Sequence, residues 1–153
     1  MIPERVRAVL GDWGLEAHEF EPGSTPTAES AAARIGVAVG QIAKSILLKG
    51  KDDHYYMVVV PGDRKLNNGK IKAAIGVKTR MASAEETEAV TGFRPGGVCP
   101  FAIVDIPIFL DEALAGYETI YPAAGTDASG VPMTFTQLKK ITAGTVASMS
   151  AEP

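Results

Sequence analysis

The chain has 153 residues, 46% of them hydrophobic and 22% charged, with a formal net charge of −3. That length suits one domain over residues 1–153 with one continuous core, and the composition excludes disorder and a fibrous repeat. The longest apolar runs, such as Met57 to Pro61, are too short to cross a bilayer, and the first residues lack a secretory signal pattern, so no membrane partner and a cytoplasmic address are expected.

Pro3 to Trp13 carries Val6, Val9, Leu10 and Trp13 at the spacing of one helix face, and Gly14 stops it. Leu15 to Phe20 reads as a short strand. Thr27 is placed to cap a helix Ala28 to Ile35 ended by Gly36. Gln41 to Lys49 and Tyr55 to Val60 are β-branched and aromatic runs around Gly50-Lys51-Asp52-Asp53, which predicts a hairpin. Asn67 caps a helix Asn68 to Ile75 that stops at Gly76, and Val77 to Met81 is a strand candidate. Ser83 and Glu86 form a capping box for a helix reaching about Val90. Gly92 to Pro100 is a loop. Strands are expected at Ile108 to Asp111, Thr119 to Ala123 and Val131 to Phe135, and Thr136 is expected to cap a last helix ending at Ile141. The irregular alternation and the hairpin favour an α+β domain with a mixed, curled sheet over a doubly wound parallel one.

The net negative charge by itself argues against nucleic acid as a partner, DNA included, but it is unevenly spread. Residues 49–80 hold eight cations against three carboxylates, a net of +5 that leaves −8 on the rest. Such a segment is either a solvated lysine surface or a face that attracts phosphate. Cys99 is the lone cysteine, so neither a disulfide within the chain nor a cysteine zinc cluster can form, and His18 and His54 lack metal-ligand spacing. No metal and no cofactor are expected. The P-loop, dinucleotide, HExxH and GxSxG patterns are all missing.

Three features could carry chemistry. Lys44 shares its strand phase with Ile42, Ile46 and Leu48. It is either an inward lysine facing a wet pocket or an anion, or an outward one, because the register is shifted by one residue or because Gln41 to Lys44 is still a helical turn whose lysine head group reaches solvent. Gly92-Phe93-Arg94-Pro95-Gly96-Gly97-Val98-Cys99-Pro100 could let backbone N–H groups approach a carbonyl oxygen that gains charge, or could simply connect two elements. Cys99 in that loop has no activating base nearby in sequence, which favours a wall or packing role over a nucleophile. The third feature, Val58-Val59-Val60-Pro61-Gly62-Asp63-Arg64, is a strand running into a turn that could form a pocket rim, with Arg64 and Lys65 offered to phosphate.

In order along the chain, Thr27-Ala28-Glu29-Ser30-Ala31-Ala32, Gln41-Ile42-Ala43-Lys44-Ser45-Ile46-Leu47, Val59-Val60-Pro61-Gly62-Asp63, Gly92-Phe93, Gly96 to Pro100, Ile108-Phe109-Leu110-Asp111 and Ala124-Gly125 resemble the YbaK/EbsC family. That family is also called the ProX or prolyl-tRNA-synthetase-associated editing domain family. The resemblance spans about Thr27 to Thr142 and implies a mixed, barrel-like β-sheet flanked by helices. It implies a deacylase acting in trans on mischarged tRNA at the 3′-terminal adenosine, with an aminoacyl-tRNA synthetase as a further partner. Lys44 looks like the family lysine, and Gly96 to Pro100 looks like its Gly-x-x-x-Pro loop. Lys44, Gly96 and Gly97 are then the catalytic candidates. Ser24, Thr25, Ile46, Phe93, Val98, Cys99 and Pro100 are the candidate amino-acid pocket, and Arg64, Lys65 and Lys70 the tRNA contacts. Cys99 stands where relatives often have Ser or Thr, and Asn67 where many have Asp. A non-catalytic module that binds a tRNA acceptor end or a synthetase is the alternative. A surface-associated structural protein, suggested only by the EbsC name, finds no support in the sequence.

Overall fold

The computed structural model describes residues 1–153. The chain opens with helix α1 (Glu4–Asp12), strand β1 (His18–Glu19) and helix α2 (Ala28–Ile35). A 3-10 turn, Val39–Gln41, leads into β2 (Ile42–Gly50) and β3 (Tyr55–Pro61), the long hairpin predicted from the β-branched runs. Then come β4 (Lys65–Leu66), α3 (Asn68–Ile75), β5 (Thr79–Met81), α4 (Ala84–Thr91) and β6 (Ile108–Asp111). A second 3-10 turn (Glu112–Gly116), β7 (Tyr121–Pro122), β8 (Ser129–Gly130), α5 (Phe135–Thr142), β9 (Thr145–Ala147) and β10 (Ser150–Ala151) complete it.

The six-stranded sheet runs β5-β2-β3-β6-β9, with β7 as a second neighbour of β2. The β2–β3 and β2–β5 pairs are antiparallel, whereas β3–β6, β6–β9 and β2–β7 are parallel. The fold is therefore α+β with a mixed sheet. It is not closed into a barrel: β5 and β9 remain edges, and β1–β8 and β4–β10 form separate two-stranded ribbons. The main core joins Val6 and Leu10 of α1 to Met57, Val59, Leu110, Phe93, Phe101 and Leu138. A smaller cluster on the other side of the hairpin joins Leu48, Val58, Ile71 and Met149. β3 is buried on both faces, which is why Met57-Val58-Val59-Val60 is continuously apolar instead of alternating.

Some expected boundaries move. Thr134, not Thr136, caps α5: its side chain accepts from Gln137 N–H while Gln137 reciprocates, a complete capping box two residues earlier. That box withdraws Val131 to Phe135 from strand pairing, apart from a bridge between Ile120 and Met133. The first strand shrinks to His18–Glu19 and the run Thr119 to Ala123 to Tyr121–Pro122, the lengths over which β8 and β2 respectively pair with them. β4, β9 and β10 are too short or too polar to show as strands in sequence. β10 is fastened instead by buried Asp111, which accepts from the Ser150 hydroxyl and, at 3.4 Å, from Met149 N–H.

Candidate active site at the split edge of strand β2

Strand β2 is saturated along one edge and interrupted along the other. Its register with β3 runs unbroken from Ala43 opposite Pro61 to Lys49 opposite Tyr55. Gly62 N–H donates to Ile42 O and Gly50 N–H to His54 O, so the peptide groups of even-numbered residues face β3. Odd-numbered residues face outward. There β7 reaches Ile42 and Ala43, β5 covers Leu48 to Gly50, and Ala82 N–H donates to Leu47 O. On this outward edge nothing pairs with Ser45.

A cavity of about 370 Å³ occupies this gap. Its walls are β2 itself, α2 through Ala28 and Ala31, the end of β5 at Met81 and Ala82, β7 at Tyr121, and the loop at Pro95, Gly96 and Val98. Small residues line α2 here, leaving open a volume that larger side chains would fill. Lys44 is the cavity's one charged side chain; it is half-buried and makes no salt bridge. It also lines a second groove of about 340 Å³ with Lys65, Asn68 and Arg80.

Three loops lock the far wall. Arg94 to Gly97 is a β-turn with Pro95 and Gly96 as its central residues, Gly96 at φ +89°, and Gly97 N–H donating to Arg94 O at 3.0 Å, the pattern of a type II turn. Gly96 packs on the backbone of Pro26 and on Asp127, and a Cβ on Gly97 would lie 2.8 Å from the Thr126 backbone. Thr25 donates through both N–H and hydroxyl to Asp127 O, at 2.8 and 2.7 Å. Behind the loop, the Arg5 guanidinium of α1 stacks 4.3 Å from the centre of the Phe93 ring and donates to the carbonyls of Thr91 and Ala102. The amides of Gly96 and Val98 make no backbone hydrogen bond.

This geometry sorts the candidates. Lys44, Thr25, Ile46, Gly96 and Val98 share the cavity. Gly97 does not: its N–H is committed to the turn, and it is glycine because the chain at Thr126 passes against it. Phe93, Cys99 and Pro100 stand behind the wall, buried toward the main core. Burial pushes the Cys99 thiol up to about 12, so it is protonated and unsuited to attack. Ser24 also misses the cavity; its hydroxyl is buried without a partner. No group of three or more His, Cys, Asp or Glu side chains is placed to hold a metal ion.

The basic segment divides. Lys65 lies on the groove beside Lys44, but Arg64 lines none of these cavities, and Lys70 donates to Ser150 O at 3.0 Å, tying α3 to β10. Four other cations of the basic 49–80 segment, Lys49, Lys51, Lys78 and Arg80, gather around the hairpin tip, although none of them was among the expected tRNA contacts. Arg80 makes a two-bond pair with Glu86 at 2.8 and 3.0 Å, and this pairing with the Ser83 amide holds the Glu86 carboxyl well below the usual carboxylate range. Lys51 and Lys78 form no ion pair. The signal for this patch was available in the register, which brings residues 49 to 51 beside 78 to 80.

The family model for the aminoacyl-tRNA editing domain matches residues 22–141. The Bacillus subtilis protein YwhH is 37% identical over 143 residues, covering 92% of this chain and 90% of its own length. A proline–tRNA ligase of Shouchella clausii is 33% identical over 121 residues, 76% of this chain, and there the match spans only 21% of the ligase. Among solved structures, a candidate trans-editing enzyme for prolyl-tRNA synthetase superposes with a TM-score of 0.87 at 33% identity, covering 99% of this chain and 100% of that one. No helix is long and apolar enough to cross a membrane.

Proposed function

The chain belongs to the aminoacyl-tRNA editing domain family, and on that premise we propose that it acts in trans, hydrolysing the ester between a wrong amino acid and the 3′-terminal adenosine of tRNA. The observation that carries this reading is the shared cavity, lined by Lys44, Gly96 and Val98 at the split edge of β2. Lys44 holds the anionic or electron-rich end of the substrate. The Gly96 and Val98 amides, unused by the fold, are donors for the carbonyl oxygen as it gains negative charge.

The cavity's Ser and Thr hydroxyls have no carboxylate or imidazole among its lining to take their proton, and it offers no thiol. The attacking group is therefore a water, or the side chain of a thiol-bearing substrate. It adds to the ester carbonyl carbon, its proton passes to the neighbouring ribose hydroxyl or solvent, and the terminal ribose oxygen leaves with a proton. An aminoacyl ester is already activated, so positioning and charge stabilisation suffice without a metal. In this reading Lys65 on the adjoining groove and the hairpin-tip cations meet the phosphates that follow the terminal adenosine.

A panel of mischarged tRNAs incubated with the purified protein tests the proposal by release of free amino acid. Release from at least one non-cognate pair, with correctly charged tRNA spared, is expected. Binding of tRNA without release from any pair would leave the molecule a non-catalytic acceptor-end module and reject the deacylase.

A further inference from the structure

The split in the sheet has a local cause. Continuing the β2–β5 register would place Ala84 opposite Ser45. Ala84 instead begins α4, because the reciprocal Ser83–Glu86 capping box turns the chain out of the ladder one residue earlier. From the other end, β7 stops at Pro122 beside Ala43. The ladder is thus short of one residue. The N–H and C=O of Ser45 point into the gap, with the cavity in front of them and no partner.

We infer that this vacant rung is the receptor for the aminoacyl group itself. An α-aminoacyl ester carries one nitrogen donor and one carbonyl acceptor on either side of a single Cα, as a strand residue does. In an antiparallel hydrogen-bonded pair two residues exchange both bonds. The substrate α-ammonium donates to the Ser45 carbonyl, and the ester carbonyl oxygen accepts from Ser45 N–H. The missing residue of the sheet is supplied by the substrate. This rests on the deacylase reading above and adds to it a recognition element that involves neither the lysine nor the glycine loop. The cavity has no Asp or Glu to pair with an α-ammonium, and the Ser45 carbonyl, a backbone acceptor without a ladder partner, faces it. The pairing also fixes chirality: residues directly opposite across a ladder put their side chains on the same face. The side chain of an L-aminoacyl group then lies on the Ser45 side of the sheet, away from the phase of Lys44.

The test has two arms. In the first, Ser45 is replaced by its α-hydroxy acid, which changes the N–H to an ester oxygen and keeps the side chain. Loss of one donor to a developing oxyanion is expected to lower kcat/KM by about 10²-fold, with unchanged affinity for uncharged tRNA. In the second, the unaltered protein is given tRNA carrying the same acyl group with hydrogen in place of the α-ammonium, each rate being divided by the uncatalysed rate of that ester. The enhancement is expected to fall at least tenfold, about the loss of one charge-assisted hydrogen bond. Wild-type kcat/KM in a folded ester variant, or an undiminished enhancement on the substrate without the amine, overturns the inference. Should the ester variant not fold, the substrate arm decides alone. An unaltered protein that releases amino acid from no mischarged tRNA overturns the deacylase reading instead, so the two failures are distinguishable.

Discussion

The two edges of β2 use the same peptide geometry for opposite ends. Along the β3 edge each ladder position has its partner, and both faces of β3 are packed, with Met57, Val58, Val59 and Val60 fully buried. Along the other edge the ladder breaks between β7 and β5, and the break is lined by small residues, a half-buried ammonium and a turn whose glycine has positive φ. The saturated edge is packed on both faces of β3, and the interrupted one is where the proposed site lies. A strand that exposes polar backbone risks adventitious pairing; here the unpaired stretch is one residue deep and recessed behind α2 and the Pro95–Val98 wall, where a second strand cannot enter but a small ligand can.

Substitutions that strike one edge at a time test this division. The largest effect is expected from Lys44→Ala, which should lower deacylation by at least about 10²-fold while leaving the circular dichroism spectrum and melting temperature near those of the parent. Retained activity would remove Lys44 from the site. Met57→Ala on the saturated side should do the reverse. It empties a fully buried position and should cost about 2–5 kcal/mol in urea unfolding, with kcat of the folded fraction little changed. Gly97→Ala should affect both properties, because its Cβ would press on the Thr126 backbone and displace the turn holding Gly96. About 1–3 kcal/mol of stability should be lost, together with a measurable part of kcat. The smallest effect belongs to Cys99. Cys99→Ala should cost about 1 kcal/mol and leave deacylation within about twofold, and the native thiol should resist alkylation at neutral pH because burial keeps it protonated. Rapid alkylation with parallel loss of activity would return Cys99 to the cavity wall.

Much of this was legible in the residues. Thr27, Asn67 and Ser83 announced their helices because capping is a local exchange of hydrogen bonds that three or four residues complete alone. The hairpin showed in its β-branched runs. The lysine and the Gly-Pro loop pointed to one site, and the fold brings Lys44 and Gly96 to one cavity. What the residues hid were relations between distant segments. Gly97 is taken up by a turn bond and a close approach to Thr126, neither of which leaves a trace in a Gly-Gly pair. Phe93 faces Arg5 and the core, which depends on where α1 packs. Lys70 is spent on the Ser150 carbonyl, a contact made only after β10 docks on β4. The vacancy at Ser45 is the clearest case, for its own sequence is that of an ordinary strand and the gap is created by the capping box at Ser83.

The most direct measurement is an amide NMR titration of the protein with a non-hydrolysable 3′-aminoacylamino-adenosine, which keeps the aminoacyl group and terminal nucleoside while resisting cleavage. The expected result is saturable shifts concentrated at Lys44, Ser45, Gly96 and Val98, absent from the β3–β6 interior. Shifts confined to other surfaces, with those four amides unmoved at saturation, would contradict a site at the split edge of β2.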